Sequence, residues 1–404
     1  MSPDVPRPDE RSTDALLQHA ASVVEKHEHD LVELRRDLHR HPEPAWAEQR
    51  TVARLVELLE PAGWTITRTP RSGLVADLGA GGRRVALRAD LDALPVQDLT
   101  TDPWRSTVPG VAHACGHDVH ASALAGAGLA LAELHRQGLL AGRVRLLFQP
   151  AEEVMPGGAK HLISHGALEG VEEVFALHCD PSVDVGAVGL RVGPITSAAD
   201  RIDVRLEGSG GHTSRPHLTE DLTFALAKVV SELPSVLSRR MDPRAGVSVV
   251  WGVLQAGAAA NVIPDHGLAS GTVRILEADA WASCEGVVRQ AVLDLVRPYG
   301  VTATVDYLQG VPPVVNDAAS VDLLAQAADA MLGPLHRTEA EQSLGGEDFG
   351  WYLAHVPGAL LRLGTRSPGG QRYDLHRGDL VVDEAAIGHG ARMLAGAALL
   401  SLAR

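Results

Sequence analysis

The sequence predicts an α/β protein whose main domain has a mostly parallel sheet and is interrupted by a smaller α+β domain. Apolar strand-like runs alternate with helix-like segments in residues 1–189, an order typical of parallel sheets covered by helices. Between residues 200 and 307 the order changes to strand, helix, strand, strand, helix, strand, which is the ferredoxin-like pattern. We therefore expect a main domain formed by residues 1–189 and 313–404, with residues 190–312 inserted as a second domain.

Hydrophobic periodicity and turn residues define the predicted elements of the main domain. Residues 1–12, rich in Pro and acidic residues, predict a disordered lead. The elements of its first part are helices Leu16–His39 and Glu48–Leu59, strand Arg84–Asp90, helix Asp118–Leu140 with Asp118 as its cap, strand Val144–Phe148, helix Ala159–His165 and strand Val174–Leu177. The elements after the insertion are helix Ser320–Leu332, strand Leu360–Leu363 and helix Glu384–Leu399.

The inserted domain also combines strand-like and helix-like segments, but in a different order from the main domain. Its predicted elements are strand Asp200–Glu207, helix Leu222–Leu237, strands Gly246–Leu254 and Leu268–Ile275, helix Trp281–Val296 and strand Thr302–Tyr307.

Composition restricts the partners and the compartment. A chain of 404 residues exceeds the size at which one core stops growing, which agrees with two domains. The net charge of −15 argues against binding to nucleic acid or to an anionic membrane, because both require a basic surface. Three cysteines without a disulfide framework indicate a reducing compartment. We see no apolar run near the ~18 residues that a membrane span needs, and we predict a cytoplasmic protein.

Two short motifs indicate a metal-dependent hydrolase. His113-Ala114-Cys115-Gly116-His117-Asp118 places a thiol and an imidazole two residues apart, and Gln149-Pro150-Ala151-Glu152-Glu153 ends an apolar run with two carboxylates. Thiolate, imidazole and carboxylate are ligands of zinc-type metals. A hydrolytic site also needs a carboxylate that carries protons, and the adjacent glutamates can divide these two tasks.

Further metal-type residues follow the predicted strands of the main domain. Asp90 closes one strand and His178 another, while His376 follows the last strand at some distance. Ligands gather at the carboxyl ends of parallel strands, so we expect these side chains to converge with the two motifs. Cys115 precedes a helix, where a thiolate is favoured. Cys179 and Cys284 are expected to be small core residues, and His39 and His41 structural ones.

These motifs, together with Arg88-Ala89-Asp90-Leu91-Asp92-Ala93-Leu94-Pro95 and Gly211-His212, resemble the aminoacylase and carboxypeptidase family of metallopeptidases, peptidase family M20, in its amidohydrolase branch. The resemblance extends over nearly the whole chain. It implies a metallopeptidase catalytic domain with an inserted lid and dimerisation domain. It also implies cleavage of N-acyl amino acids, which are small-molecule substrates.

The resemblance also implies a role for each residue of the metal site. Cys115 would bridge two divalent metal ions, with Glu153 and His376 completing one ion and His117 and His178 the other. Glu152 would be the general base and acid, and Asp90 would orient the site. A thiolate with imidazoles and a carboxylate suits Zn²⁺, with Mn²⁺, Co²⁺ and Ni²⁺ as alternatives.

In the inserted domain the resemblance implies a homodimer and three substrate-facing residues. His212 would reach a partner subunit's active site and stabilise the oxyanion. Asn261 and Arg274 would hold the substrate carboxylate, for which a guanidinium is suited; the alternative for Arg274 is a surface strand residue. The sequence departs from the branch after His212, where Thr213-Ser214-Arg215 replaces a small or apolar pair.

Two other functions stay open at this point. Cys115 could be the nucleophile of a cysteine hydrolase with His117 as its base, although residues two apart on a loop rarely meet in the required geometry. The chain could also be a non-catalytic binding protein on a hydrolase frame. Neither alternative gives a role to the Glu152-Glu153 pair beside a full set of metal-type ligands.

Overall fold

The structure is a computed structural model that describes the backbone of residues 8–404 and the side chains from residue 13 onward. Its elements, in chain order up to residue 196, are α1 (Pro8–Arg40), α2 (Gln49–Leu59), β1 (Thr65–Arg68), β2 (Leu74–Gly79), β3 (Arg84–Asp90), α3 (His117–Arg136), β4 (Arg143–Gln149), α4 (Gly158–Ser164), β5 (Glu173–Asp184), β6 (Val188–Leu190) and β7 (Gly193–Thr196). The elements of the middle of the chain are β8 (Ala198–Glu207), β9 (Gly211–His212), α5 (Leu222–Arg240), β10 (Ser248–Ala256), β11 (Val262–Ile263), β12 (His266–Ile275), α6 (Ala278–Val296), β13 (Thr302–Val311) and β14 (Val314–Asn316). The last elements are α7 (Ala318–Met331), β15 (Arg337–Glu339), α8 (Gly350–Leu353), β16 (Gly358–Arg366) and α9 (Ala385–Leu402).

The chain forms two compact units. Unit 1 comprises the residues up to Ile195 together with Asn316–Glu341 and Trp351–Arg404. Unit 2 comprises Thr196–Val315 and Gln342–Gly350. The short return of residues 342–350 to unit 2 has no counterpart in the predicted domain boundaries.

Unit 1 is built on an eight-stranded sheet in the order β1-β2-β4-β3-β5-β16-β6-β15. The central strands β4, β3, β5 and β16 are parallel to one another, and they are the continuous apolar runs of the sequence. Antiparallel pairing joins β1 to β2 and β2 to β4. The predicted α/β class with a mostly parallel sheet is confirmed, and the antiparallel edge formed by β1 and β2 is an addition that the sequence analysis missed.

Small residues let the helices of unit 1 pack closely. Helices α1, α3 and α9 contact one another, and both α3 and α9 contact the central strands. A Cβ added at Gly126 of α3 would lie 2.6 Å from a methyl of Leu31 and 2.9 Å from Ala391. Such contacts are far below van der Waals separation, so this helix layer depends on its glycines and alanines.

Helix α9 corrects one expectation drawn from composition. Residues Ala385–Leu402 are long and apolar enough to cross a membrane, with a mean hydropathy of 1.3 over 18 residues. The expectation that the chain has no such run was therefore wrong. However, 72% of this window is buried inside the protein, as in the core helix of an α/β fold.

Unit 2 contains a four-stranded sheet in the order β10-β12-β8-β13, with every neighbouring pair antiparallel. In order of appearance its strands and helices are β8, α5, β10, β12, α6 and β13, so the strand order is that of a ferredoxin-like sheet. Helices α5 and α6 contact each other and the sheet. Each of the six predicted elements is present at nearly its predicted position.

Two local predictions in the first part of unit 1 were wrong. Helix α1 begins at Pro8, so part of the predicted disordered lead is helical, while residues 1–7 lie outside the described residues. Asp118 does not cap α3, because Gly116 occupies the N-cap position and the helix has no side-chain cap. Asp118 is instead buried, and accepts hydrogen bonds from Arg35 Nε at 2.7 Å and His39 Nδ1 at 2.8 Å.

The buried ion pair between Arg35 and Asp118 gives a test of this packing. Arg35→Met should lower the free energy of urea unfolding by about 3 kcal/mol, since removing one partner leaves a poorly compensated buried charge. Arg136→Met is the matched control, because Arg136 pairs with Glu133 on an exposed helix surface, and its unfolding midpoint should stay unchanged. Equal unfolding curves for the two variants would contradict the structural role of the buried pair.

Candidate metal centre

The predicted metal-type residues of unit 1 lie at one edge of its parallel sheet. Asp90 is the last residue of β3, and Glu152 and Glu153 follow the end of β4. His178 lies inside β5, which continues to Asp184, so the prediction that it closes its strand was wrong. The regular ladder between β5 and β16 extends two residues beyond it, to Asp180, and after an irregularity Arg366 pairs with Asp184.

The segment containing Cys115 and His117 requires the glycine between them. Gly116 has a φ of 85°, a left-handed conformation that is costly for other residues. A Cβ at this position would also lie 2.8 Å from Cys179 Sγ. This turn leads directly into α3, whose first residue is His117, and Cys179 packs beneath it as the expected core residue.

His376 joins the site from a loop far along the chain. Its backbone N–H donates to the carbonyl of Ala114 at 2.7 Å, which ties the loop to the residue before Cys115. The φ of His376 is 62°, and its Nε2 lies 3.3 Å from Glu153 Oε1. The tertiary fold therefore brings this histidine beside the glutamate, as the sequence analysis expected.

Two groups of potential ligands share the Cys115 thiol. In each group the donor atoms lie within 4.8 Å of one another. One group contains Cys115, His117 and His178, and the other contains Cys115, Glu153 and His376. Glu152 lies in a further group with His117 and Glu153, so its carboxylate is next to both.

Hydrogen bonds define which nitrogens of two histidines are free. His178 Nδ1 is 2.8 Å from the carbonyl oxygen of Cys179, so Nδ1 carries the proton and Nε2 offers a lone pair. That Nε2 lies 3.5 Å from Cys115 Sγ. His120 differs, because its Nε2 accepts from Cys179 N at 2.8 Å and its Nδ1 donates to Asp90 at 2.6 Å. His120 therefore supports the site and has no lone pair left for a metal.

Asp90 is held in a hydrogen-bond network next to the potential ligands. It accepts from Arg88 Nη1 at 2.7 Å as well as from His120. Arg88 also donates to Gln149 Oε1 at 2.9 Å, which links the ends of β3 and β4. Burial opposes the charged form of Asp90, but the nearby His117, Arg88 and His120 lower the pKa of Asp90 well below its usual value.

Asp92 has a larger part in the site than the sequence analysis gave it. Its two oxygens accept from the backbone N–H groups of Glu152 at 2.9 Å and Glu153 at 3.0 Å. Its Oδ1 also lies 3.4 Å from His117 Nδ1, which favours a free lone pair on Nε2. Asp92 thus orients both glutamates and the histidine.

The site concentrates negative charge around buried donors. Burial lowers the pKa of His117, but Asp90, Asp92 and Glu153 outweigh it and raise that pKa to about 10. Burial and the carboxylates of Glu153, Glu152 and Asp90 raise the pKa of the Cys115 thiol well above its usual value. The expected helix-terminus effect on this thiol is therefore outweighed, and only an added cation would favour the thiolate.

The donor set fits a divalent metal ion. Among the described residues, His117 Nε2 and Glu153 Oε1 are buried without a hydrogen-bond partner, and these atoms lie 3.8 Å apart. Buried polar atoms are normally satisfied. Soft or borderline cations held by the two ligand groups would satisfy these atoms and balance the carboxylates.

The three remaining predicted residues belong to unit 2. His212 and Asn261 are close together, because β9 pairs with β11 and Thr213 N donates to the Asn261 carbonyl at 3.2 Å. The N–H of Ser214 donates to His212 Nδ1 at 3.1 Å, so a neutral His212 carries its proton on Nε2. Arg274 lies in β12 and is half-buried, and burial lowers its pKa.

The α/β fold and this cluster of ligands define a metallohydrolase, and comparison with known proteins identifies its family. A profile described as Peptidase family M20/M25/M40 matches residues 86–400. The N-acetyl-L-cysteine deacetylase of Bacillus subtilis is 36% identical over 91% of this chain and 86% of its own length. The chain therefore belongs to peptidase family M20/M25/M40 and is a hydrolytic enzyme.

Two further relatives add detail. A protein of Rhodococcus jostii called putative glutamate–cysteine ligase 2-3 is 48% identical over 92% of this chain, which spans only 46% of that relative's length. The crystal structure of Bacillus subtilis YXEP, described as a dinuclear metal binding peptidase from the M20 family, matches with a TM-score of 0.82 and 31% identity, covering 94% of this chain and 99% of the other.

Replacing the shared thiol should remove metal. Cys115→Ala should lower the metal content of the purified protein well below that of the wild type, because both ligand groups lose a donor. Elemental analysis measures this content, and Cys284→Ala is the control, since Cys284 is a buried cysteine of unit 2. Wild-type metal content in Cys115→Ala would exclude the thiol as a ligand.

Proposed function

We propose that this chain is a binuclear metal-dependent amidohydrolase that cleaves N-acyl amino acids to a carboxylic acid and a free amino acid. The observation that carries the proposal is the pair of ligand groups that share Cys115. His117 and His178 would hold one ion and Glu153 and His376 the other, with the Cys115 thiolate shared between the two groups. The metals, when bound, lower the pKa of a water molecule and polarise the amide carbonyl.

Glu152 is the proton carrier in this proposal. Its neighbour Glu153 is a ligand, and the Asp92 carboxylate fixes the backbone of both. Glu152 takes a proton from the attacking water as the C–O bond forms, and delivers it to the amide nitrogen as the C–N bond breaks.

The surroundings of Cys115 do not favour the cysteine hydrolase alternative. A nucleophilic cysteine needs a lowered pKa, whereas burial and three carboxylates raise the pKa of this thiol. The thiol is in hydrogen-bond contact with Nε2 of His178 at 3.5 Å, whereas neither ring nitrogen of His117, the base in that alternative, has a hydrogen-bond partner among the described residues.

Residues of unit 2 supply substrate binding in the proposal. The Ser214 contact leaves His212 with a proton on Nε2, as a donor to a developing oxyanion requires. The side chain of Arg274 forms no hydrogen bond or ion pair with the residues that the structure describes, and its guanidinium is available for a substrate carboxylate. Asn261, exposed beside His212, is the second contact for that carboxylate.

The relatives suggest cysteine as the amino-acid product. One is an N-acetyl-L-cysteine deacetylase, and another carries the name of a glutamate–cysteine ligase in a protein about twice as long as the match. Deacylation of an N-acylcysteine releases the free cysteine that a ligase of that name would join to glutamate. We therefore place N-acetyl-L-cysteine first among the candidate substrates.

A homodimer through unit 2 completes the proposal. Strand β10 is an edge of the four-stranded sheet, and its Val250 and Leu254 are 63% and 55% exposed. An edge strand with exposed apolar residues is suited to pairing with another chain. Sedimentation at twice the monomer mass for the wild type and at the monomer mass for Val250→Lys would support this, and a monomeric wild type would contradict it.

Hydrolysis of a matched substrate panel tests the activity. The panel contains N-acetyl-L-cysteine, N-acetyl-L-serine, N-acetyl-L-methionine and hippurate, each assayed before and after chelation. We expect turnover that chelation abolishes and Zn²⁺ or Mn²⁺ restores, with the highest kcat/KM for N-acetyl-L-cysteine. Highest activity on hippurate would retain the reaction and reject the cysteine assignment, while no turnover of any member would reject the substrate class.

Glu152→Gln separates the proton carrier from the ligands. This variant should bind the same amount of metal as the wild type and lose at least about 100-fold in kcat, because only the acid–base group is removed. Metal analysis and kinetics are measured on the same sample, with Glu60→Gln at the end of α2 as an exposed control. Loss of metal from Glu152→Gln would show that the roles of Glu152 and Glu153 are exchanged.

A further inference from the structure

A buried carboxylate outside the ligand set contacts the turn that carries both glutamates. Glu48 is 0% exposed. Its Oε1 accepts from the backbone N–H of Ala151 at 2.8 Å and from that of Trp46 at 3.0 Å. Burial of a carboxylate is costly unless hydrogen bonds compensate it. The buried position of Glu48 therefore indicates a structural or functional role for its carboxylate.

Capping of the adjacent helix does not explain Glu48. It occupies the N-cap position of α2, yet its side chain makes no cap hydrogen bond. Glu43 caps the helix instead, because its carboxylate accepts hydrogen bonds from Arg50 N at 2.9 Å and Thr51 N at 2.7 Å. The carboxylate of Glu48 is therefore directed to the turn at Ala151.

That turn has an unfavourable backbone. Ala151 has a φ of 53°, in the left-handed region that is unfavourable for a residue with a side chain. Gly158 N donates to the Ala151 carbonyl at 2.9 Å, and a Cβ at Gly158 would lie 1.8 Å from the Pro150 carbonyl oxygen. The loop thus closes on itself, and the contact from Glu48 holds its first residue.

Three successive N–H groups of this turn bind two carboxylates. Ala151 donates to Glu48, while Glu152 and Glu153 donate to Asp92. Consecutive N–H groups around a left-handed residue form a concave anion-binding arrangement. Here it binds side chains of the protein itself, and the directions of Glu152 and Glu153 follow from the backbone so fixed.

We propose that Glu48 is a positioning residue that sets the turn from which Glu152 and Glu153 reach the metal centre. The inference rests on the proposed function for the roles of those two glutamates. The positioning role of Glu48 depends on the length of its side chain and on its acceptor oxygen. Negative charge as such is not required.

Three variants of Glu48 separate length from charge. Glu48→Gln keeps the length and the acceptor, and its kcat should stay within about 5-fold of the wild type. Glu48→Asp keeps the charge and shortens the reach, and Glu48→Ala removes the acceptor. Both should lose at least about 30-fold in kcat with little change in KM, because misplacement by about 1 Å can cost about 100-fold.

Glu43→Ala is the matched control. It removes a carboxylate that accepts two backbone hydrogen bonds in the same segment, so α2 loses its cap and the thermal midpoint falls. Its kcat should stay within about 3-fold of the wild type. An equal loss of kcat in Glu43→Ala and Glu48→Ala would show general destabilisation and overturn the proposal, as would a loss in Glu48→Gln that matches Glu48→Asp.

Hydrogen–deuterium exchange gives a readout that does not require turnover. Peptides covering residues 149–158 should lose protection in Glu48→Ala and Glu48→Asp, and keep it in Glu48→Gln and Glu43→Ala. If Glu48→Ala does not fold, Glu48→Asp decides. Unchanged protection in folded Glu48→Asp overturns the proposal, whereas loss of protection in an enzyme that cleaves no member of the substrate panel rejects the proposed function alone.

Discussion

Concentrated negative charge at the end of the parallel strands is the constraint on which the site depends. Asp90, Asp92, Glu152 and Glu153 lie beside His117 and the Cys115 thiol, in surroundings that are mostly buried. Backbone N–H groups, Arg88 and His120 compensate part of this charge. The remainder raises the pKa of His117, and burial together with the carboxylates raises the pKa of Cys115. A divalent cation would balance this negative charge.

Unusual backbone conformations bring these groups together. Gly116, Ala151 and His376 all have positive φ, and each lies within two residues of a proposed ligand or is one. Strain of this kind persists only where the surroundings enforce it. The enforcing contacts are the Glu48 contact to Ala151 and the hydrogen bond from His376 to Ala114. Gly116 adopts its φ without strain, and Cys179 leaves no room there for a side chain. The site is thus built from local features that secondary-structure periodicity cannot show.

The sequence predicted well the strands that are buried along their whole length and the site residues that lie in short motifs. Strands β3 and β4 were predicted to within a residue, because parallel central strands are unbroken apolar runs. Strand β1 was missed because it is short and largely exposed at an edge of the sheet, and β2 was missed although it is largely buried. His120 and Asp92 were also missed as supporting groups. His120 lies one helical turn after His117, and that spacing could have indicated it, whereas the Asp92 contacts to residues 152 and 153 depend on the tertiary fold.

Elemental analysis of the purified protein, after loading with Zn²⁺ or Mn²⁺ and removal of free metal, tests the central claim most directly. A site of two ligand groups that share Cys115 predicts about two divalent ions per chain, both released by a chelator. One ion per chain would reject the bridged arrangement. No bound ion under any loading condition would contradict the assignment of this buried, acidic cluster to a metal.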